Sequence, residues 1–261
     1  MLGPEYFEER FFAFLMSSDR KTPTKQDEQD QDVADAPSEA SDVDVFLRRV
    51  QAMTPAATSG ARGRLIFAMD ATMSRQPTWD MALGMQADMF RQVKAIGGLD
   101  VQLVYFRGFG ECRASKWVDD PEALASLMTQ VSCRGGHTQI GRVLSHARQE
   151  AEEEQIGAMV YVGDCMEEDI DDVAQSAGEL ALLKVPVFLF QEGYEPHAEA
   201  AFREIARLTH GAYCRFGPGS AAELRDLLTA VAVYAAGGQK ALRDYSREQG
   251  GSSRLLLEQL D

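Results

Sequence analysis

The sequence predicts an α/β protein with a doubly wound, mostly parallel sheet, one antiparallel strand and helices on both faces. Short apolar runs that end at polar turns alternate along the chain with stretches of helical periodicity, which is typical of buried parallel strands and their crossover helices. One pair of runs is separated by a turn too short for a helix, so that pair is predicted to be antiparallel. The chain has 261 residues, 45% of them hydrophobic, enough to build a large core.

The first half of the predicted sheet contains three strands. "RLIFAMD", ending at Asp70, is an apolar run that reads as a buried parallel strand. One helical stretch is predicted to follow it until "GG" breaks the pattern near residue 97. "DVQLVYFRG" and "ECRASKWV" flank a short turn and are predicted to pair. Pro121 then opens a helix that Asp119 or Asp120 is expected to cap.

Three further strands are predicted in the second half of the sheet. They are "GAMVYVGD", "VPVFLF" and "GAYCRF". A helix with one apolar face precedes the first of them, and another such helix follows each of the three. This alternation requires crossover connections, which are right-handed in parallel sheets.

Changes in composition divide the chain into five parts, of which residues 62–236 are predicted to form the folded domain. A linker rich in Asp, Gln, Ser and Pro is predicted to be disordered, because it cannot bury enough apolar surface to offset its ordering entropy. The aromatic-rich segment before the linker is interpreted as packing on the domain, as a frayed chain end, or as a tethered docking peptide. The parts outside the domain are the aromatic segment (1–17), the linker (18–43), a short helical lead-in (44–61) and a C-terminal tail (237–261).

The formal net charge of −15 argues against nonspecific binding to nucleic acid or to anionic membranes, both of which need clustered Lys and Arg. No run approaches the roughly 20 apolar residues that span a bilayer. The first residues carry glutamates where a signal peptide has basic residues, so a cytoplasmic location is expected. The four cysteines are scattered without a CxxC pair, which fits a reducing compartment and gives no zinc signature.

Three polar loops are expected to meet at one edge of the sheet, because ligands of open α/β sheets bind beyond the carboxyl ends of the strands. The first loop carries Asp70, Thr72 and Ser74, the second carries Thr138, and the third carries Asp164. Their two carboxylates and three hydroxyls are oxygen donors of the kind that a hard divalent ion such as Mg²⁺ prefers. The sequence therefore predicts a metal site that keeps a position open for a carboxylate from another molecule.

Glycines in the second loop support this convergence. Gly135 and Gly136 precede His137 and Thr138, and a residue without a side chain allows one loop to approach another closely. Each site residue also has a simpler interpretation as a helix cap, and the acidic run at 167–172 is interpreted as a solvated helix start that the helix dipole favours.

The ordered set DATMS, GGHT and GD resembles the von Willebrand factor type A domain and its metal-ion-dependent adhesion site (MIDAS). The family pattern is D-x-S-x-S, then a threonine in a glycine-rich loop, then an aspartate after the fourth strand. The resemblance covers roughly residues 62–236 and departs from the pattern at Thr72, where serine is usual, and at Cys165, where glycine is common. It implies a site for Mg²⁺ or Mn²⁺ held by Asp70, Thr72, Ser74, Thr138 and Asp164.

The same resemblance implies a protein interaction module without enzymatic activity. Its expected partner is a protein that supplies a carboxylate to the bound ion, and an intracellular complex with an AAA-type ATPase is one setting in which such domains work. No nucleic-acid or membrane partner is expected.

Two other functions stay open at the sequence level. A haloacid-dehalogenase-type phosphohydrolase also has an aspartate after the first strand and uses Mg²⁺, but it needs D-x-D-x-T, and position 72 is a threonine that cannot serve as its general acid. Lys184 is also poorly placed for that chemistry. The third hypothesis is a metal-free scaffold whose site is degenerate, with the departures at Thr72 and Cys165 as its support.

Overall fold

A six-stranded sheet forms the centre of the protein in the computed structural model, which describes residues 62–93 and 98–248. The strand order is β3-β2-β1-β4-β5-β6, and every neighbouring pair is parallel except β2 and β3. This confirms the predicted fold class, including its one antiparallel strand. The strands are β1 (Gly63–Asp70), β2 (Leu99–Arg107), β3 (Glu111–Val118), β4 (Ala158–Gly163), β5 (Val187–Glu192) and β6 (Ala212–Phe216).

Helices cover both faces of this sheet, so each face has its own apolar core. One core lies between the sheet and α1, α2, α3 and α7, and the other lies between the sheet and α4, α5 and α6. The burial of β4 and β5 on both faces explains why their sequences are continuous apolar runs. The helices are α1 (Gln76–Leu83), α2 (Gln86–Val93), α3 (Pro121–Thr129), α4 (Ile140–Glu153), α5 (Ile170–Leu182), α6 (Pro196–Leu208) and α7 (Ala221–Glu248).

The single helix predicted after β1 is wrong in detail. A 3₁₀ turn (Met73–Arg75) comes first, and α1 and α2 are then separated at Gly84, whose amide bonds back to Met81 and Ala82. Glycine is a poor helix former, which explains the break at that position. The apolar periodicity continues across the break because α1 and α2 belong to the same core.

The start of α3 agrees with its sequence signals. The Asp120 carboxylate accepts a hydrogen bond of 2.8 Å from the Ala123 amide, and Pro121 occupies the first turn. An N-cap of this kind typically contributes about 1 kcal/mol to stability. Asp120 rather than Asp119 is therefore the capping residue.

The last helix extends beyond the predicted domain boundary at residue 236. α7 continues to Glu248 through a non-helical Gly238 at φ 65°, a conformation that glycine adopts without steric cost. The aromatic segment, the linker and the lead-in (1–17, 18–43 and 44–61), together with residues 249–261 of the tail, lie outside the described residues. Within the described ranges, no helix combines the length and apolar character needed to cross a membrane.

Candidate metal centre

Asp70 ends the central strand β1 and is completely buried. Its Oδ1 accepts a hydrogen bond of 2.6 Å from the Thr72 amide, whereas its Oδ2 is buried with no hydrogen-bond partner among the described residues. Burial raises the pKa of this carboxyl to about 6, and the hydrogen bonds from Thr72 counteract only part of that effect. A carboxylate held in this way gains from a cation placed at its free oxygen.

Asp164 meets the first loop directly, although it lies 90 positions later in the chain. The Ser74 hydroxyl donates to its Oδ2 at 3.1 Å, and the Thr72 and Ser74 hydroxyl oxygens lie 3.4 Å apart. The other oxygen of Asp164, Oδ1, is buried and has no hydrogen-bond partner in the part of the chain that the structure describes. The structure therefore brings together four of the five predicted ligands: Asp70, Thr72, Ser74 and Asp164.

The loop before α4 is held against its neighbours by backbone contacts. A Cβ on Gly136 would lie 2.1 Å from the Gly108 carbonyl oxygen, so only glycine fits there, whereas a Cβ on Gly135 would meet nothing within 4 Å. The Arg134 amide donates to the Ala71 carbonyl at 2.9 Å, which ties this loop to the loop after β1. The close approach predicted for both glycines is thus required at Gly136 alone.

Thr138, the fifth predicted ligand, is buried at the end of this loop. Its hydroxyl accepts from the Glu167 amide at 2.9 Å, and its own amide donates to the Glu167 carboxylate at 3.1 Å. Within the described ranges its hydrogen bonds go to Glu167 and to neither Asp70 nor Asp164. The structure therefore links Thr138 to the turn that carries Asp164, through a residue three positions later.

Arg75 and Glu192 are the charged residues that the sequence analysis missed. Arg75 is buried, with one guanidinium nitrogen 3.0 Å from Asp164 Oδ2 and another in contact with Glu192 Oε2, to which the Thr78 hydroxyl also donates. Glu192 ends β5, at the same sheet edge as Asp70. The rule that singled out Asp70 and Asp164, a carboxylate after an apolar strand, would also have found Glu192.

Two residues of the acidic run at 167–172 serve helix starts. Both Glu168 carboxylate oxygens accept backbone amides, those of Ile140 and Gly141, at the N-terminus of α4. Asp169 accepts the Asp171 amide and caps α5. Carboxylates at helix N-termini satisfy free amides and interact favourably with the helix dipole. Glu168 reaches a second helix, so that part of the run is more than a solvated helix start.

Cys165 lies beside the two aspartates. One ligand atom from each of Asp70, Asp164 and Cys165 falls within 4.8 Å of the other two. Burial, together with the neighbouring Asp164, raises the pKa of the thiol to about 12. A thiol protonated at neutral pH is a weak nucleophile.

The donors at this edge fit a divalent cation. Two buried carboxylate oxygens, one on Asp70 and one on Asp164, lack hydrogen-bond partners among the described residues, and hydroxyl oxygens lie beside them. Burying an ionised carboxylate without a partner costs several kcal/mol, which a cation offsets. An oxygen-rich donor set favours Mg²⁺ or Mn²⁺, and the sulfur of Cys165 adds a softer donor that zinc also accepts.

Comparison with solved structures identifies the fold. A von Willebrand factor type A protein from Catenulispora acidiphila superposes with a TM-score of 0.53 at 17% identity, over 68% of this chain and 44% of that one. The SpRpn10 VWA domain superposes with a TM-score of 0.50 at 13% identity, over 68% of this chain and 98% of that domain. The chain has the von Willebrand factor type A fold.

A third structure of this fold contains a metal. Proximal thread matrix protein 1 from the mussel byssus, with a zinc-occupied MIDAS motif, superposes with a TM-score of 0.51 at 15% identity, over 70% of this chain and 46% of that one. No protein-family model and no curated protein matches the sequence. The type A assignment therefore rests on structure, and this chain spans less than half the length of the Catenulispora and mussel proteins.

Proposed function

We propose that this type A domain is a divalent-metal-dependent protein interaction module that recognises an acidic residue of its partner. The observation that carries the proposal is the pair of buried carboxylate oxygens, on Asp70 and Asp164, that lack hydrogen-bond partners among the described residues. Asp70, Thr72, Ser74, Thr138 and Asp164 would hold the ion, with Mg²⁺ or Mn²⁺ as the expected metal. An ion that two carboxylates neutralise, and that keeps a coordination position free, attracts a carboxylate from another molecule.

The mussel protein supports the presence of a metal, because its MIDAS motif holds zinc in the same fold. The proposal extends to a partner within an intracellular complex, such as one built around an AAA-type ATPase, and to a cytoplasmic location.

Exposed apolar side chains around the site favour a protein partner. Met73 lies between two proposed ligands, Thr72 and Ser74, and is 64% exposed. Phe109, in the β2–β3 turn, is 83% exposed and packs edge-on against the ring of His137, the residue before Thr138. Exposed apolar side chains beside a polar centre are typical of protein-binding surfaces. The partner is therefore expected to present an acidic residue flanked by apolar side chains.

The phosphohydrolase hypothesis fits the structure less well. That chemistry needs an acid at position 72 and a lysine near the first aspartate. Position 72 is a threonine, and Lys184 lies between the end of α5 and the start of β5, at the opposite edge of the sheet from Asp70. Thr72 and Lys184 therefore meet neither requirement of the phosphohydrolase hypothesis.

Calorimetric titration of Mg²⁺ and Mn²⁺ into the metal-free chain tests the proposal. We expect saturable binding at one site, and loss of that binding in Asp70→Asn, which removes a charge but keeps the side-chain shape. Asp171→Asn is the matched control, because Asp171 is an exposed aspartate in the first turn of α5. Binding that survives Asp70→Asn, or that Asp171→Asn abolishes equally, would contradict the proposal.

A further inference from the structure

The Arg75 guanidinium lies inside the candidate metal centre, among acidic groups. One of its nitrogens is 3.0 Å from Asp164 Oδ2, and another contacts Glu192 Oε2. Arg75 is only 9% exposed, so water screens its charge weakly. A fixed positive charge therefore contacts a carboxylate that is also a proposed ligand of the divalent ion.

The two oxygens of Asp164 are used differently. Oδ2 accepts a hydrogen bond from the Ser74 hydroxyl and forms an ion pair with Arg75, whereas Oδ1 is buried without a hydrogen-bond partner in the described part of the chain. The guanidinium thus holds one side of the carboxylate and leaves the other side open. An ion that binds at Oδ1 shares Asp164 with Arg75.

The local charges agree with this sharing. Asp70, Asp164 and Glu192 contribute three negative charges when ionised, and Arg75 contributes one positive charge, so the four side chains together carry −2. A divalent ion balances that charge. Without Arg75 the same carboxylates carry −3 and attract a cation more strongly.

We propose that Arg75 is a built-in counter-cation that shares Asp164 with the divalent ion, orients this carboxylate before the ion arrives, and lowers the affinity of the site. This inference rests on the proposed function, because it concerns a metal held by the same residues. Arg75 is a positioning residue, and its charge sets how tightly the metal binds. Like charges that share one carboxylate repel each other, and in a partly buried site the effect on affinity is on the order of tenfold or more.

A purely structural role for Arg75 makes the opposite prediction. Arg75 also joins the 3₁₀ turn after β1 to the end of β5 through Glu192, so its loss could loosen both loops. Looser loops would bind metal more weakly, whereas removal of a competing charge makes binding tighter. The sign of the change in metal affinity distinguishes the two roles.

Calorimetric titration of Mn²⁺ into the full chain provides the test. We expect Arg75→Gln to lower the Kd for Mn²⁺ by about tenfold or more, and Arg75→Lys, which retains the charge, to stay close to the unmodified chain. Arg207→Gln is the matched control, because Arg207 pairs with Glu204 on the exposed face of α6, near the end of that helix remote from the site. That variant is expected to leave the affinity unchanged.

A second pair of variants covers the case in which Arg75→Gln does not fold, since it leaves Glu192 buried without its cation. The double variant Arg75→Gln/Glu192→Gln removes both charges. It is expected to bind Mn²⁺ more tightly than the unmodified chain, because Arg75 contacts Asp164 directly. Glu192→Gln alone removes a negative charge, keeps Arg75, and is expected to weaken binding.

A second readout is the thermal unfolding temperature. In the metal-free state, Arg75→Gln should unfold at a lower temperature than the unmodified chain. Addition of Mn²⁺ should raise the unfolding temperature of Arg75→Gln by more than it raises that of the unmodified chain. If the unmodified chain binds Mn²⁺ while Arg75→Gln and the double variant bind equally or more weakly, the inference is overturned and the proposed function stands. If none of these chains binds Mn²⁺, both are overturned.

Discussion

At the scale of single residues, burial controls the chemistry of Asp70. Its pKa of about 6 in the folded protein lies above 3.8, the ordinary value for an aspartate, because burial disfavours the charged form. A raised carboxyl pKa contributes stability that is fully present below about pH 4 and is lost as the pH rises through about 6. In the metal-free protein this loss amounts to about 3 kcal/mol.

The pH dependence of Asp70 leads to a prediction about unfolding. Between pH 4 and pH 7, the metal-free chain should lose up to about 3 kcal/mol of unfolding free energy that Asp70→Asn does not lose. Urea unfolding of both chains at the two pH values measures these free energies. Because the two chains share all other carboxyls, the difference between their pH dependences is due to Asp70. Saturating Mg²⁺ at pH 7 should restore the unfolding free energy of the unmodified chain but not that of Asp70→Asn. Equal pH dependence in the two chains would contradict this assignment.

Tyr161 is a second residue whose environment makes a prediction. Its ring is buried between Phe106 and Phe202, and its hydroxyl is buried with no hydrogen-bond partner among the described residues. An unpaired buried hydroxyl costs about 1–3 kcal/mol. Tyr161→Phe is therefore expected to leave the thermal stability unchanged or to raise it by about 1 kcal/mol. A loss of stability in calorimetric unfolding would show that the hydroxyl has a partner, such as a bound water.

At the scale of elements, the candidate metal centre depends on hydrogen bonds that join three loops. Gln191 on β5 donates to the Asp164 carbonyl at 3.4 Å and to the Glu195 carbonyl at 2.9 Å, while Tyr213 donates to its side chain. Glu168 reaches from the loop after β4 to the first amides of α4. These contacts join the loops on either side of Asp164 to neighbouring elements, and so limit the movement of the carboxylate.

Substitutions of the two glycines in the loop before α4 form a matched pair that tests how this loop is held in place. Gly136→Ala is expected to lower the unfolding free energy by at least about 2 kcal/mol, because its Cβ would overlap the Gly108 carbonyl. It should weaken metal binding as well, since the loop carries Thr138. Gly135→Ala, one position earlier, has free space for its Cβ and should match the unmodified chain. Denaturant unfolding and Mn²⁺ titration measure both effects; equal behaviour of the two variants would contradict the prediction.

At the scale of the whole molecule, most of the large exposed apolar side chains among the described residues lie at the edge of the sheet that carries the candidate metal centre. Among the described residues, the large exposed hydrophobic side chains are Met73, Phe109, Tyr194 and Leu182. The first three lie in loops at the carboxyl edge of the parallel strands, whereas Leu182 ends α5 at the other edge. This asymmetry favours the carboxyl edge as the partner-binding face.

Selection of random displayed peptides on the Mg²⁺-loaded chain tests the nature of that face. We expect enriched peptides to carry an aspartate or glutamate flanked by apolar residues, and their binding to need Mg²⁺. Phe109→Ser should reduce peptide binding and have little effect on the affinity for Mg²⁺. Leu182→Ser, which alters a side chain of the same 83% exposure at the opposite edge, should leave peptide binding unchanged. Equal effects of the two variants, or enrichment without acidic residues, would contradict the assignment.

Several features of the site could be predicted from sequence, and others could not. Asp70 and Asp164 follow apolar strands, and the carboxyl ends of parallel strands share one edge, so their convergence follows from the strand pattern. The burial of Arg75 could not be predicted, because its partners Asp164 and Glu192 lie more than 80 positions away in the chain. The break between α1 and α2 was missed because both helices pack into one core and keep a common periodicity.

The sequence by itself determined the order of the six strands along the chain, the hairpin at β2 and β3, and the oxygen donors at the strand ends. These features depend on local periodicity and turn residues, which neighbouring positions specify. Only the tertiary structure decided which oxygens of Asp70 and Asp164 lack hydrogen-bond partners among the described residues, that Gly136 must be a glycine, and that the Arg75 guanidinium contacts Asp164. Those properties depend on distances between residues far apart in the chain, and on the burial that the assembled sheet and helices impose.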